Sequence, residues 1–112
     1  MTTVNDESVS EEGFVIAAAL ADVMAAGMKR VEIGGYSILL CRNDDQIFAV
    51  ENLCSHAEQP LECGRIKYGW ISCPSHGSRF DLETGEALSA PATEPIKTFA
   101  LRTRDDMIEI KL

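Results

Sequence analysis

Histidine occurs only twice in this 112-residue sequence, tryptophan once, and the longest apolar run, "FVIAAALA" at 14–21, has eight residues. Each shortage excludes something. A bilayer requires about 20 consecutive apolar residues, so no membrane-spanning helix is expected. That run is not expected to be a secretory signal either, because acidic residues precede it where a positive segment is required. Lys and Arg number 10 against 18 Asp and Glu, for a net charge of −8. This argues against nucleic acid, whose phosphates demand a basic face, and favours partners with basic surfaces. No G-x-G-x-x-G run occurs, so the fingerprint of a nucleotide-binding reductase is missing.

What is present fits one domain with a modest core; 46% of residues are hydrophobic. Asp6, Glu7, Glu11 and Glu12 all precede the first basic residue, Lys29. Residues 1–13 therefore read as a solvated acidic tail and 14–112 as a single folded domain. Without those four acids the body keeps 14 acids against 10 bases. From Phe14 the chain reads as short strands. Val31 and Ile33 alternate, Gly34-Gly35 signals a hairpin, and Ile38 and Leu40 resume the pattern. "NDD" at 43–45 breaks the chain before "QIFAVE". Phe99 and Leu101 alternate, Asp105-Asp106 turns, and Ile108, Ile110 and Leu112 follow. Such spacing predicts an antiparallel β-sandwich or barrel. "AAALADVMAAG" disagrees, since it is rich in helix formers and ends in a C-capping glycine. It predicts a strand over about 14–18 followed by one or two helical turns.

Residues 52–92 behave differently. Alternation is weak, turn residues are dense, and both histidines and three of the four cysteines lie there. The pattern is Cys54-x-His56, sixteen residues, then Cys73-x-x-His76. A cytoplasmic location, where thiols stay reduced, makes metal ligands or core thiols more natural than disulfides. Three readings are open. One zinc ion could take all four groups as a Cys₂His₂ site, although zinc fingers usually pair like with like. A two-iron cluster could take both thiolates on one iron and both imidazoles on the other. Alternatively, the four are ordinary core or surface residues.

"CSHAEQPLECG" and "CPSHGSRFDLETGEALSAPATEP" resemble the two cluster loops of the Rieske family. More closely, they resemble the small Rieske-type ferredoxins that serve bacterial aromatic-ring-hydroxylating dioxygenases. The resemblance runs from about Phe14 to Leu112, including "FAVENLCSH" before the first loop and "FDLETGEAL" after the second. It implies a Rieske fold, with a cluster-binding subdomain at about 52–92 inserted into a β-sandwich or barrel base. It implies one [2Fe–2S] cluster, with Cys54 and Cys73 on the buried iron and His56 and His76 on the outer one. Gly77, Ser78 and Pro91 would surround it. Gly77 would let backbone N–H groups approach the sulfides, and Pro91 would belong to the covering loop. The loop disulfide of the high-potential relatives is absent, since Ser75 stands in one of its positions and no cysteine closely follows His56. Of the two hydroxyls that raise the potential in those relatives, the serine is retained as Ser78 and the tyrosine position is Phe80. A potential toward the lower end of the Rieske range follows.

An oxygenase would need a second iron site, but both histidines are already assigned. The implied role is a one-electron carrier, not an enzyme. It would take electrons from an NAD(P)H-dependent reductase and pass them to a terminal oxygenase, as a monomer that docks transiently. The alternatives are a carrier or small subunit of another redox enzyme, such as a nitrite reductase, or a structural zinc module. The docking rim is expected around both histidines, with Gln59, Pro60 and Leu61 in it and Glu58 and Glu62 steering. Cys41, and Cys63 with it, read as small core residues, and Trp70 as packing.

Overall fold

The computed structural model describes residues 13–55, 59–75 and 77–112; the acidic tail up to Glu12 lies outside them. The chain enters on β1 (Phe14–Ala19), which pairs antiparallel with the final strand, β9 (Met107–Lys111). That pairing takes Ala17, Ala18 and Ala19 into extended structure despite their helix propensity. The helix α1 (Leu20–Ala26) begins only where the ladder ends, at the Leu20 N–H to Asp106 C=O bond. Gly27 stops it in the left-handed conformation. Arg42 then donates its Nη1 to the Met24 carbonyl at 2.9 Å, placing a cation at the helix C-terminus.

β2 (Met28–Ile33) and β3 (Tyr36–Asn43) form the hairpin expected at Gly34-Gly35, and β4 (Gln46–Glu51) follows the turn at Asp44. β8 (Thr98–Arg104) and β9 turn at Asp105-Asp106, both with positive φ, which Asp tolerates better than most residues. The six strands run β1-β9-β8-β4-β3-β2, and the two edges, β1 and β2, come back into contact. The result is a nearly closed antiparallel sheet, as the alternation predicted.

The second unit is inserted between β4 and β8. Its three antiparallel strands are β5 (Ile66–Lys67), β6 (Trp70–Ser72) and β7 (Arg79–Asp81). At its neck the Glu51 N–H donates to the Lys97 carbonyl at 2.8 Å, so the chain leaves and re-enters the large sheet at one place.

β3 joins the two units. Ile38 and Leu40 face the interior of the large sheet with Val23, Phe99, Ile108 and Ile110. Leu39 and Cys41 face the other way, into a cluster with Val50, Leu61, Ile71, Phe80 and Leu82. Both faces are fully buried, which is why "ILLC" shows no alternation of its own. Burying such a Leu, Ile or Phe side chain contributes about 1.5–3 kcal/mol, so the shared wall anchors the inserted unit.

Candidate metal centre

The two cysteine loops close in the same way. The Cys54 N–H donates to the Gln59 carbonyl and the Cys73 N–H to the Ser78 carbonyl, each at 2.7 Å and each five residues ahead. Both cysteines are buried, at 0% and 2% exposure, and both belong to the apolar cluster beneath the small sheet. The fold therefore brings together two thiols separated by eighteen intervening residues. His56 and His76 lie outside the described residues, as do Ala57 and Glu58. Among the described residues no group of three or more metal-ligating side chains forms.

The surrounding positions are placed as follows. Gly77 is exposed with φ 76°, and its N–H is donated to the Cys73 carbonyl at 2.9 Å. Ser78 is fully buried, and its Oγ accepts the Ala92 N–H at 3.2 Å. Pro91 follows a cis peptide bond and is itself exposed, while Ala92 packs into the cluster that contains both cysteines. Phe80 is fully buried in that same cluster.

Two expectations need correction, at Leu61 and Cys63. Leu61 is fully buried rather than part of a docking rim, because it supplies the apolar floor of the first loop; Gln59 and Pro60 are exposed. The Glu62 carboxylate is already engaged, accepting Asn52 Nδ2 at 3.1 Å and lying 3.5 Å from Arg30 Nε. Cys63 is exposed with φ 74° and is not a core residue. Cys41 is a core residue, and burial pushes its thiol up to about 12. Trp70 is only half-buried and carries the Arg79 guanidinium 4.5 Å from its ring centroid.

Sequence reasoning missed Asn52. Its Oδ1 accepts the N–H groups of both Leu61 and Glu62, at 2.8 and 2.9 Å, and its Nδ2 reaches Ser37 Oγ and Glu62. This buried amide ties the end of the first loop to the strand from which the loop departs. The signal available was an Asn immediately after a strand, a type that bonds readily to nearby backbone. Gly64 was also passed over. A Cβ there would lie 2.0 Å from the Ser72 carbonyl oxygen, so only glycine allows the two loops to approach.

Two buried thiols, each on a loop closed by the same backbone bond, lie in one apolar cluster beneath a small sheet packed against a nearly closed larger one, an architecture of the two-loop β class. A family model for the Rieske [2Fe-2S] domain matches residues 13–100, and the chain belongs to that family. It is 33% identical over 99 residues to the ferredoxin component of the naphthalene 1,2-dioxygenase system of Pseudomonas putida, covering 88% of this chain and 95% of that protein. The ferredoxin of carbazole 1,9a-dioxygenase from Nocardioides aromaticivorans IC177 superposes with a TM-score of 0.82 at 28% identity, over 88% and 96% of the two chains. A solved complex of reduced oxygenase and oxidized ferredoxin in carbazole 1,9a-dioxygenase matches with a TM-score of 0.80 at 26% identity, over 90% of this chain and 94% of that one. These relatives are ferredoxins, carriers rather than the catalytic parts of their systems, and this chain is of the same kind.

Proposed function

We propose that Cys54, His56, Cys73 and His76 hold one [2Fe–2S] cluster, and that the chain carries single electrons from an NAD(P)H-dependent reductase to the terminal oxygenase of a ring-hydroxylating dioxygenase system. The observation that supports the ligand set is the pair of buried cysteines on identically closed loops. Thiolates are soft donors suited to iron–sulfur chemistry, and the apolar residues around them, Leu61, Ile71 and Phe80, exclude water. When bound, the cluster supplies a one-electron couple. The protein's part is to hold the loops, through Asn52 on the first and Ser78 on the second, and to keep the thiols dry. The Ser78 hydroxyl accepts the Ala92 N–H, which leaves its own proton to be donated. In this reading residues 14–112 act as one Rieske domain with about 52–92 as the cluster-binding part. The protein works in the cytoplasm as a monomer. The oxygenase complex of the carbazole relative supports the acceptor. The relatives serve systems for different substrates, naphthalene in one and carbazole in another, and in this reading the oxygenase selects them.

Electron paramagnetic resonance of the dithionite-reduced protein at low temperature tests the centre. A rhombic spectrum with an average g value below that of all-cysteine [2Fe–2S] ferredoxins is expected. A colourless, silent protein that retains zinc after purification would overturn the reading.

A further inference from the structure

The net charge of −8 points to basic partners, yet the inserted unit carries a cationic face. In the small sheet Ile66, Ile71 and Phe80 point inward to the apolar cluster. Strand alternation sends their neighbours outward. Extending the β5–β6 register by one residue sets Arg65 opposite Ser72, and Ser72 is opposite Arg79. Two residues along the strands, the next outward row is Lys67, Trp70 and Asp81. Arg65, Lys67 and Arg79 are exposed, and none has a carboxylate within ion-pair distance among the described residues. The acid in these two rows, Asp81, keeps its charge but is turned to its own loop, where its Oδ1 accepts the N–H groups of Glu83 and Thr84 at 2.8 and 2.9 Å.

The two arginines flank a small residue. β5 and β7 are two strand spacings apart, about 10 Å, with only Ser72 between them. Ser72 is pinned by reciprocal bonds with Arg65, its N–H to the Arg65 carbonyl and the Arg65 N–H to its Oγ. Its hydroxyl proton remains available. Arg79 places its guanidinium carbon 4.5 Å from the Trp70 ring centroid, a cation–π contact that holds its donors near the indole. Ser72 immediately precedes Cys73, so anything seated on this face lies along the second cysteine loop.

We propose that the outer face of the small sheet, built on Arg65, Ser72, Arg79, Lys67 and Trp70, is a docking surface for a carboxylate-rich patch on a redox partner protein. Charge complementarity decides the occupant. Three cations with no ion pair among the described residues, in a strongly acidic chain, repel basic surfaces at that place and recruit acidic ones. Guanidinium pairs take carboxylates bidentately, and the half-buried indole supplies the apolar contact typical of interface anchors. The proposal rests on the electron-carrier reading. It adds that one partner is met through a face whose sign is opposite to that of the chain as a whole.

Trp70 is the chain's one tryptophan and lies inside the face, so its fluorescence reports occupancy directly. The cluster-loaded protein is titrated with poly-L-glutamate at low ionic strength. A saturable change in Trp70 emission is expected, and poly-L-lysine should not produce it. The double variant Arg65→Glu, Arg79→Glu should weaken the response about tenfold or more, as should moderate salt, while the charge control Lys29→Glu should change it less than about twofold. No response to poly-L-glutamate, or equal loss in Lys29→Glu, would overturn the proposal. A single-stranded oligonucleotide that outcompetes poly-L-glutamate would overturn it in favour of phosphate recognition. Dithionite reduction followed by absorbance runs alongside on every variant. A normal spectrum with no response to the acidic polymer rejects the docking face alone, whereas absence of any reducible chromophore rejects the carrier reading.

Discussion

The buried hydroxyl of Ser78 accepts the backbone N–H of Ala92 at 3.2 Å, so the second cysteine loop and the segment after Pro91 are held together through one side-chain oxygen. Ser78→Ala removes the acceptor and strands a buried N–H. The expected loss is about 1–3 kcal/mol, read as a lower denaturant midpoint of the holo protein. A variant with unchanged stability would show that the bond contributes nothing. The same substitution should lower the midpoint potential if the Ser78 proton is donated toward the centre.

Asn52 is more demanding, because one amide oxygen serves two backbone donors. Replacement by alanine leaves the N–H groups of Leu61 and Glu62 without that partner, at a cost of about 2–4 kcal/mol. Bleaching of the visible chromophore on warming should occur earlier than in the parent. Equal bleaching rates would mean the first loop is held by other contacts.

Two glycines with nearly equal φ should respond very differently. Gly85 has φ 80° and a Cβ there would sit 2.1 Å from the Ile96 carbonyl oxygen, whereas Gly69 has φ 83° and open space around it. Gly69→Ala should cost about 1–2 kcal/mol for the left-handed backbone alone. Gly85→Ala adds a backbone clash and should exceed that clearly in the same unfolding assay. Similar costs at both sites would contradict the packing around Gly85.

The thiols divide by burial. Cys63 is exposed and should be alkylated by iodoacetamide in the native protein, and Cys63→Ser should abolish that labelling. Cys41 should react only on unfolding. Its thiol is raised from 9.0 to about 12 in the folded state, so below pH 9 it is protonated in both states and has no effect on the balance. Above pH 9 the unfolded chain releases the proton first, and Cys41 then lowers stability by about 1.4 kcal/mol per pH unit until the folded thiol also titrates. Cys41→Ala should flatten that alkaline slope in denaturation curves taken between pH 8 and 11.

Phe80 fills, without a hydroxyl, a fully buried position in the cluster that contains both cysteines. A potentiometric titration should place the midpoint toward the lower end of the range of about −150 to +300 mV. A value above about +200 mV would be incompatible with this.

Much of the fold was legible because its signals are local. The hairpins at Gly34-Gly35 and Asp105-Asp106, and the stop at Gly27, depend on residues adjacent in sequence. The strand over about 14–18 and the one or two helical turns after it were legible too, as β1 (Phe14–Ala19) and α1 (Leu20–Ala26) show. Ala17–Ala19 favour helix in isolation, and pairing with β9 overrides them. The rim was misread at Leu61 for a related reason, since its burial depends on Ile71 and Phe80 packing from the other loop.

By itself the sequence determined the two-loop spacing of cysteine and histidine, the strand alternation of the large sheet and the acidic balance of the chain. These need only neighbouring residues and counting. The tertiary structure alone decided that Cys54 and Cys73 share one apolar cluster, that Asn52 braces the first loop, that Cys63 faces water while Cys41 does not, and that Arg65 and Arg79 flank Ser72 on one face. Each of these depends on which distant strand comes to lie alongside. That is set by the joint burial of many side chains rather than by the preference of any one.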